Sequence, residues 1–268
     1  MNAGASSQPR AKKSLGQHFL KTPAISERIA ALLHPSESDR IVEIGPGPGA
    51  LTDQLRIFRP AQLLLIEKDD HWAAHHAALA DGVPGHTVLH QDALAFDWTS
   101  LEGPWKITGN LPYNIASPLM WDIVSRTPAL ARAVFMIQKE VADRLRAAPG
   151  GRDYGALSVW VQSFVRVEWG FTVGPGHFAP PPKVDSAVVA FAPLARRGDF
   201  DPDALALTLR VCFQQRRKQL QSLLRKQGLA AVAEALPSLG IDPAARPETL
   251  ITRQFHALSA LVAAAPAR

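Results

Sequence analysis

The chain is short of cysteine, of long apolar runs and, over two stretches, of acid. Cys212 is its single cysteine, which excludes an internal disulfide, fits a reducing cytoplasm, and reads as a small buried apolar group rather than a reactive thiol. No apolar run approaches the roughly 20 residues needed to cross a bilayer, and the first residues lack the hydrophobic core of a secretion signal. A soluble cytoplasmic protein with no membrane partner is therefore expected. Acid is missing from Met1 to Ser26, where Arg10, Lys12, Lys13 and Lys21 stand alone, and from Arg210 to Lys226, where Arg210, Arg216, Arg217, Lys218, Arg225 and Lys226 do the same. Either run by itself reads as a solvated face. With a net charge of +5 they point towards an anionic partner. Metal ligation has little support. His71 and His75 sit one helical turn apart beside His76, without a further ligand or a metalloprotease signature, so a solvated helix face and no metal are expected.

At 268 residues and 47% hydrophobic content, the chain is long enough for one sizeable core and a smaller second unit. Its most informative stretch is Asn110-Leu111-Pro112-Tyr113, which ends an apolar strand at Trp105 to Thr108. Ring delocalisation makes the exocyclic nitrogen of adenine a poor nucleophile, so a catalyst must draw its lone pair out of the π-system. Two acceptors holding the amine hydrogens do that. The Asn110 side-chain oxygen and the Leu111 carbonyl are natural acceptors, Pro112 stiffens the turn, and Tyr113 offers a stacking face. No carboxylate base is needed, because the amine loses its proton only after attack. Taken alone, the four residues are equally an ordinary strand-to-helix turn closed by proline.

Upstream, Ile41-Val42-Glu43-Ile44-Gly45-Pro46-Gly47-Pro48-Gly49-Ala50-Leu51-Thr52 reads as a buried strand, a glycine-rich turn and a helix start. A glycine pattern by itself also suits nicotinamide or flavin dinucleotides. The next strand, Gln62 to Ile66, ends in Glu67, roughly 20 residues past the glycines, where an acid can bind both ribose hydroxyls. The third, Thr87 to His90, ends in Gln91-Asp92, and an aspartate there can accept a hydrogen bond from a cofactor's adenine amine. Successive parallel strands thus deliver Gly45, Glu67, Asp92 and Asn110 to one carboxyl edge of one sheet, where ligands of open α/β folds bind. S-adenosylmethionine fits better than NAD. Pro46 and Pro48 interrupt the turn, and Ala50 stands where the dinucleotide fingerprint ends in glycine.

These segments, together with Leu15-Gly16-Gln17-His18-Phe19-Leu20, Gln91-Asp92-Ala93, Gly109 to Ile115, Phe178-Ala179-Pro180-Pro181-Pro182-Lys183-Val184-Asp185-Ser186 and Gln215-Arg216-Arg217-Lys218, make the chain resemble the bacterial small-subunit ribosomal RNA adenine dimethyltransferases. The likeness runs from about Lys13 to the C-terminal helices. It implies a Rossmann-like class I methyltransferase α/β sheet with a smaller C-terminal helical domain, and S-adenosylmethionine as cofactor. The implied reaction is N6,N6-dimethylation of two adjacent adenosines in a hairpin near the 3′ end of 16S rRNA, on a precursor of the 30S particle, by a monomer. It also implies cofactor contacts at His18, Leu20, Gly45, Gly47, Glu67, Asp92 and Asn110. Asn110 and Tyr113 are expected to face the target base, with Phe178 covering its other side and Arg216, Arg217 and Lys218 gripping RNA phosphate. Many relatives carry Asn at the position of His18. Three other readings stay open: methylation of large-subunit RNA, methylation of DNA adenine or a protein glutamine through a similar turn, and a ribosome assembly factor whose methylation is secondary.

Periodicity predicts a helix after Thr22-Pro23 with Ile25, Ile29, Leu32 and Leu33 on one stripe, and the preceding Gly16 to Leu20 as a lid over the cofactor pocket. It further predicts a helix over Pro118 to Val124, a fifth strand over Ala133 to Ile137, and a closing strand pair at Phe164 to Val173 and Ala187 to Phe191. Ala148 to Gly155 reads as a connector whose Arg152 and Tyr154 are candidate RNA contacts. Residues 1–12 read as a disordered basic tail, 13–197 as the catalytic domain and 198–268 as a helical RNA-binding domain.

Overall fold

The computed structural model describes residues 16–195, 198–215 and 218–265. The expected tail, 1–12, and the start of the expected catalytic domain lie outside them. In chain order the strands are β1 (Phe19–Leu20), β2 (Arg40–Ile44), β3 (Gln62–Glu67), β4 (His86–His90), β5 (Pro104–Asn110), β6 (Ala129–Gln138), β7 (Val165–Val173), β8 (Phe178–Ala179) and β9 (Ser186–Pro193). The helices are α1 (Pro23–Leu33), α2 (Thr52–Ile57), α3 (Asp70–Ala80), α4 (Ala116–Arg126), α5 (Lys139–Arg146), α6 (Ala156–Phe164), α7 (Pro202–Phe213), α8 (Leu220–Lys226), α9 (Ala230–Glu234) and α10 (Thr252–Ala264). None of the described helices is long and apolar enough to cross a membrane.

Seven strands form one sheet in the order β4-β3-β2-β5-β6-β9-β7. Strands β2 to β6 are parallel, and β9 runs antiparallel between β6 and β7. This is the Rossmann-like α/β sheet of the sequence expectation. Alternation along each strand splits the core between the two faces. Ile41, Leu63, Leu65, Val134, Met136 and Val188 join Ile25, Ile29 and Leu33 of α1 on one side. Val42, Ile44, Ile66, Ile107, Phe135, Ile137 and Val189 pack on the other with Leu119, Met120 and Ile123 of α4 and the helices beyond. Pro23 begins α1, its missing N–H costing nothing at a first helical position.

The strand pair and the fifth strand appear where expected, but Phe164 ends α6, and β7 begins at Val165. Helices α5 and α6 were not foreseen. The buried apolar cluster is continuous across the expected boundary near residues 197–199, since Leu205, Leu209, Leu220, Phe255 and Leu258 belong to the same cluster as Phe135 and Phe191. Cys212 is buried there, and burial pushes its thiol up to about 12. Tyr154, a candidate RNA contact from sequence, is fully buried, and its hydroxyl donates to the Leu250 carbonyl at 2.9 Å. It ties the connector to the C-terminal helices instead. Tyr154→Phe is expected to lower stability by about 1 kcal/mol, read as a lower urea midpoint at unchanged slope, because it leaves a buried carbonyl short of a donor.

A second, two-stranded sheet pairs β1 with β8, Leu20 opposite Phe178 and Phe19 opposite Ala179. It fastens the N-terminal segment, which sequence predicted as a lid, across the carboxyl edge of the main sheet.

Candidate active site

The carboxyl ends of β2, β3, β4 and β5 and the segment before β1 enclose one cavity. Its walls are Gly16 to Phe19, Gly45 and Gly47, Glu67 and Lys68, Gln91 to Leu94, and Asn110 to Ile115. Gly45, Glu67, Asp92 and Asn110 therefore meet, as parallel strands in register require.

Gly45 leaves β2 in the left-handed region, φ 64°, and a Cβ built there would project into open space. The turn thus offers bare backbone to a ligand. Glu67 ends β3 only 5% exposed. Its Oε2 accepts the Gly47 N–H at 3.0 Å and its Oε1 the Asp69 N–H at 2.7 Å. Burial raises its carboxyl above the ordinary range, and the backbone N–H bonds oppose that rise. A carboxylate has about four lone-pair directions, so these two bonds leave capacity for ribose hydroxyls.

Asp92 follows β4. Its Oδ1 accepts the Leu94 N–H at 3.0 Å and its Oδ2 the Lys68 ammonium at 2.7 Å. Lys68 holds the carboxyl below the usual carboxylate range against partial burial. Lys68 was missed in the sequence, where only the acid before it carried a recognisable role.

Asn110 ends β5. Its Nδ2 donates to the His18 carbonyl at 2.8 Å, and among the described residues no donor occupies its Oδ1. The Leu111 N–H is taken by the Met136 carbonyl at 3.0 Å, while Pro112 accepts from Ile115 and Ala116, both at 3.1 Å, to start α4. Asn110 Oδ1 and the Leu111 carbonyl are the acceptors this turn offers. Tyr113 is half-buried, its hydroxyl pairing with Ser186 Oγ at 2.8 Å and burial raising its pKa. Ser186 closes the proline-rich segment quoted in the resemblance, though nothing in its spacing identifies Tyr113 as its partner. The His18 ring stacks near Tyr113, centroids 5.6 Å apart, and its Nδ1 donates to the Pro180 carbonyl at 2.8 Å.

Two expected site residues are placed elsewhere. Phe178 is 1% exposed and packs in the apolar cluster with Val173, Val188 and Met136, because pairing of β8 with β1 turns its ring inward. It does not line the cavity, and the rings that do are Tyr113, His18 and Phe19. Leu20 faces a smaller hollow beneath the glycine turn, with Glu43, Pro46 and Pro48. His76 also departs from expectation. Instead of a solvated face it occupies the buried face of α3 with Trp72 and Ala73, and its Nε2 meets the Gly47 carbonyl at 2.8 Å. The spacing of Trp72, Ala73 and His76 on one helical face was the available signal. Arg216 and Arg217 lie outside the described residues, and Lys218 is exposed between α7 and α8.

The donor set fits an adenosyl cofactor: bare turn backbone, a buried carboxylate for the ribose and a second carboxylate beyond it, with the Asn110 acceptors across the cavity. Comparison with known proteins agrees. The family model described as ribosomal RNA adenine dimethylase matches residues 8–264. The ribosomal RNA small subunit methyltransferase A of Nitratidesulfovibrio vulgaris is 58% identical over 95% of this chain and 97% of its own length. Among solved structures, a dimethyladenosine transferase from Plasmodium falciparum superposes with a TM-score of 0.78 at 27% identity, covering 90% of this chain and 96% of that one. The 23S rRNA methyltransferase ErmE shares the fold with a TM-score of 0.68 at 24% identity, over 91% and 99% of the two chains. Strand ends, cavity and relatives converge, and the chain belongs to the ribosomal RNA adenine dimethylase family, whose class I methyltransferase fold uses S-adenosylmethionine to methylate rRNA adenine.

Proposed function

We propose that this enzyme places two methyls on each of two neighbouring adenosines in the hairpin near the 3′ end of small-subunit rRNA. It acts as a cytoplasmic monomer on a 30S precursor. The small-subunit choice rests on Leu111, on Asn114-Ile115-Ala116-Ser117-Pro118 and on the Arg216-Arg217-Lys218 block, which resemble the small-subunit group rather than the large-subunit methyltransferases, and on the name carried by the 58% identical relative. The observation that carries the chemistry is the Asn110 side chain, which lines the cavity and whose nitrogen is committed to the His18 carbonyl at 2.8 Å, so that its oxygen is left as the acceptor.

When bound, S-adenosylmethionine supplies an electrophilic methyl on a sulfonium. Glu67 and Asp92 would hold the adenosyl part through its hydroxyls and amine. A target adenosine leaves its stack and lies against Tyr113. Asn110 Oδ1 and the Leu111 carbonyl accept the two amine hydrogens, which concentrates the lone pair on nitrogen and orients it. The proton departs after attack, when the amine is a strong acid. One hydrogen and a lone pair remain after the first transfer, so a second transfer needs a pocket that tolerates one methyl, with one of the two acceptors holding the remaining hydrogen. Arg216, Arg217 and Lys218 grip phosphate, which positions RNA without reading its bases.

Undermethylated small subunits incubated with the protein and labelled cofactor should carry the label on two adjacent adenosines of the 3′ hairpin. Label confined to large-subunit RNA, DNA or protein would refute the proposal. Normal ribosome assembly restored by a methyl-dead protein would give the binding role precedence over catalysis.

A further inference from the structure

We infer that His76 is a positioning residue for cofactor binding: its imidazole anchors the glycine turn from behind, while Glu67 anchors it from the cavity side. Both backbone polar groups of Gly47 are engaged, the N–H by Glu67 Oε2 at 3.0 Å and the carbonyl by His76 Nε2 at 2.8 Å. A carbonyl only accepts, so Nε2 carries the proton. Nδ1 is then the bare nitrogen, buried and without a hydrogen-bond partner. The ring is 1% exposed, and its Cε1 would lie 3.2 Å from a Cβ at Gly49, so it also fills the space behind the next left-handed glycine.

A turn with glycines at φ 64°, 51° and 98° has more backbone freedom to lose than any other composition. Ordering it in advance lowers the entropic cost of binding. His76 does this with a neutral donor. Burial is the main influence lowering its pKa. The Gly47 bond opposes that shift, His75 and Arg56 add to it, and Asp53 opposes it. The three side chains reach it from α2 and α3, and burial prevails, leaving the ring uncharged and donating near neutral pH.

The inference rests on the reading that this cavity holds S-adenosylmethionine, and the test separates the two. Calorimetric titration of the purified protein with S-adenosylmethionine should show His76→Leu binding about tenfold more weakly, the scale of one lost hydrogen bond plus a loosened turn. KM for the cofactor should rise alongside, with kcat on undermethylated subunits within about twofold of wild type. The melting temperature without cofactor should fall only modestly, because the Gly47 carbonyl loses its donor while a buried ring nitrogen without a partner is removed as well. His76→Gln, whose amide N–H reaches the same carbonyl, should bind severalfold more tightly than His76→Leu.

Affinity of His76→Leu within about twofold of wild type, while Glu67→Gln binds weakly, overturns the inference alone. Wild-type affinity in both variants overturns the cofactor-site reading with it. Should His76→Leu fail to fold, His76→Gln and the shorter His76→Asn decide. Tighter binding by Gln supports anchoring, and equal affinities overturn it.

Discussion

Asn110→Ala is expected to abolish nearly all methyl transfer, lowering incorporation into undermethylated small subunits by about 100- to 1,000-fold, the scale of losing one preorganised polar group that acts on developing charge. The cofactor should bind severalfold more weakly in the same variant, because the Asn110 amide also ties the His18 carbonyl, at 2.8 Å, to the cavity wall. The fold should persist. Asn110 is only partly buried and lies at the end of β5, whose ladder with β6 is made by backbone. Asn110→Asp is a sharper control. It keeps an acceptor but replaces the donor with an oxygen facing the His18 carbonyl, so two acceptors oppose each other and the N-terminal segment is pushed off the wall. Both variants should therefore lose turnover, the alanine through a missing acceptor and the aspartate through a displaced one. Turnover of Asn110→Ala within tenfold of wild type, with normal near-ultraviolet dichroism, would remove Asn110 from the role assigned to it.

The part of the site that sequence reveals is the part made by strand ends. Ile41 to Ile44, Gln62 to Glu67 and Trp105 to Asn110 are short apolar runs closed by a glycine turn, an acid or an Asn-Leu-Pro turn, and parallel register does the rest. One cavity then follows from topology, because each β–α crossover returns the chain to the same edge. What sequence could not show is which distant segment closes that edge. Phe19–Leu20 pairs with Phe178–Ala179, two residues against two, far too short a pattern to pick out across so long a stretch of chain. That pairing explains the misplacement of Phe178: reading it as a base-stacking ring presumed an exposed loop, whereas pairing sends its ring into the core. His76 failed for a different reason. A histidine among histidines on an alanine-rich helix suggests a wet surface, and the sequence signal against it is the spacing that sets His76, rather than His71 or His75, on the face of Trp72 and Ala73. Tyr154 and the C-terminal helices repeat the lesson at larger scale. The composition shift near residues 197–199 suggests separate units, yet Leu205, Leu209 and Phe255 share one apolar cluster with the sheet.

Glu67→Gln is expected to weaken S-adenosylmethionine binding by roughly 100-fold or more, about 3 kcal/mol for the loss of charge-assisted bonds to the ribose. The substitution keeps the volume but leaves one acceptor oxygen where the Gly47 and Asp69 N–H groups now bond to two, at 3.0 and 2.7 Å. The amide nitrogen then opposes one of those donors, and less acceptor capacity remains for the cofactor. The same carboxyl makes affinity depend on pH. Burial raises the Glu67 pKa, so protonation, which turns an acceptor into a donor, sets in above the ordinary carboxylate range. Affinity should fall on acidification through that raised pKa and recover above it, and Glu67→Gln should flatten the profile. Stability of the cofactor-free protein runs the other way. A carboxyl whose folded pKa is raised contributes stability that is complete below its unfolded pKa and lost as pH rises through the folded one. Glu43, fully buried under the turn and pushed up by desolvation to about 8, has the same sign over the interval from about 4.5 to about 8. Melting temperature without cofactor should therefore decline from mildly acidic to mildly alkaline pH while calorimetric affinity climbs. Parallel decline of both quantities with rising pH would mean that Glu67 meets the cofactor uncharged, and the assignment of its carboxylate to the ribose would be wrong.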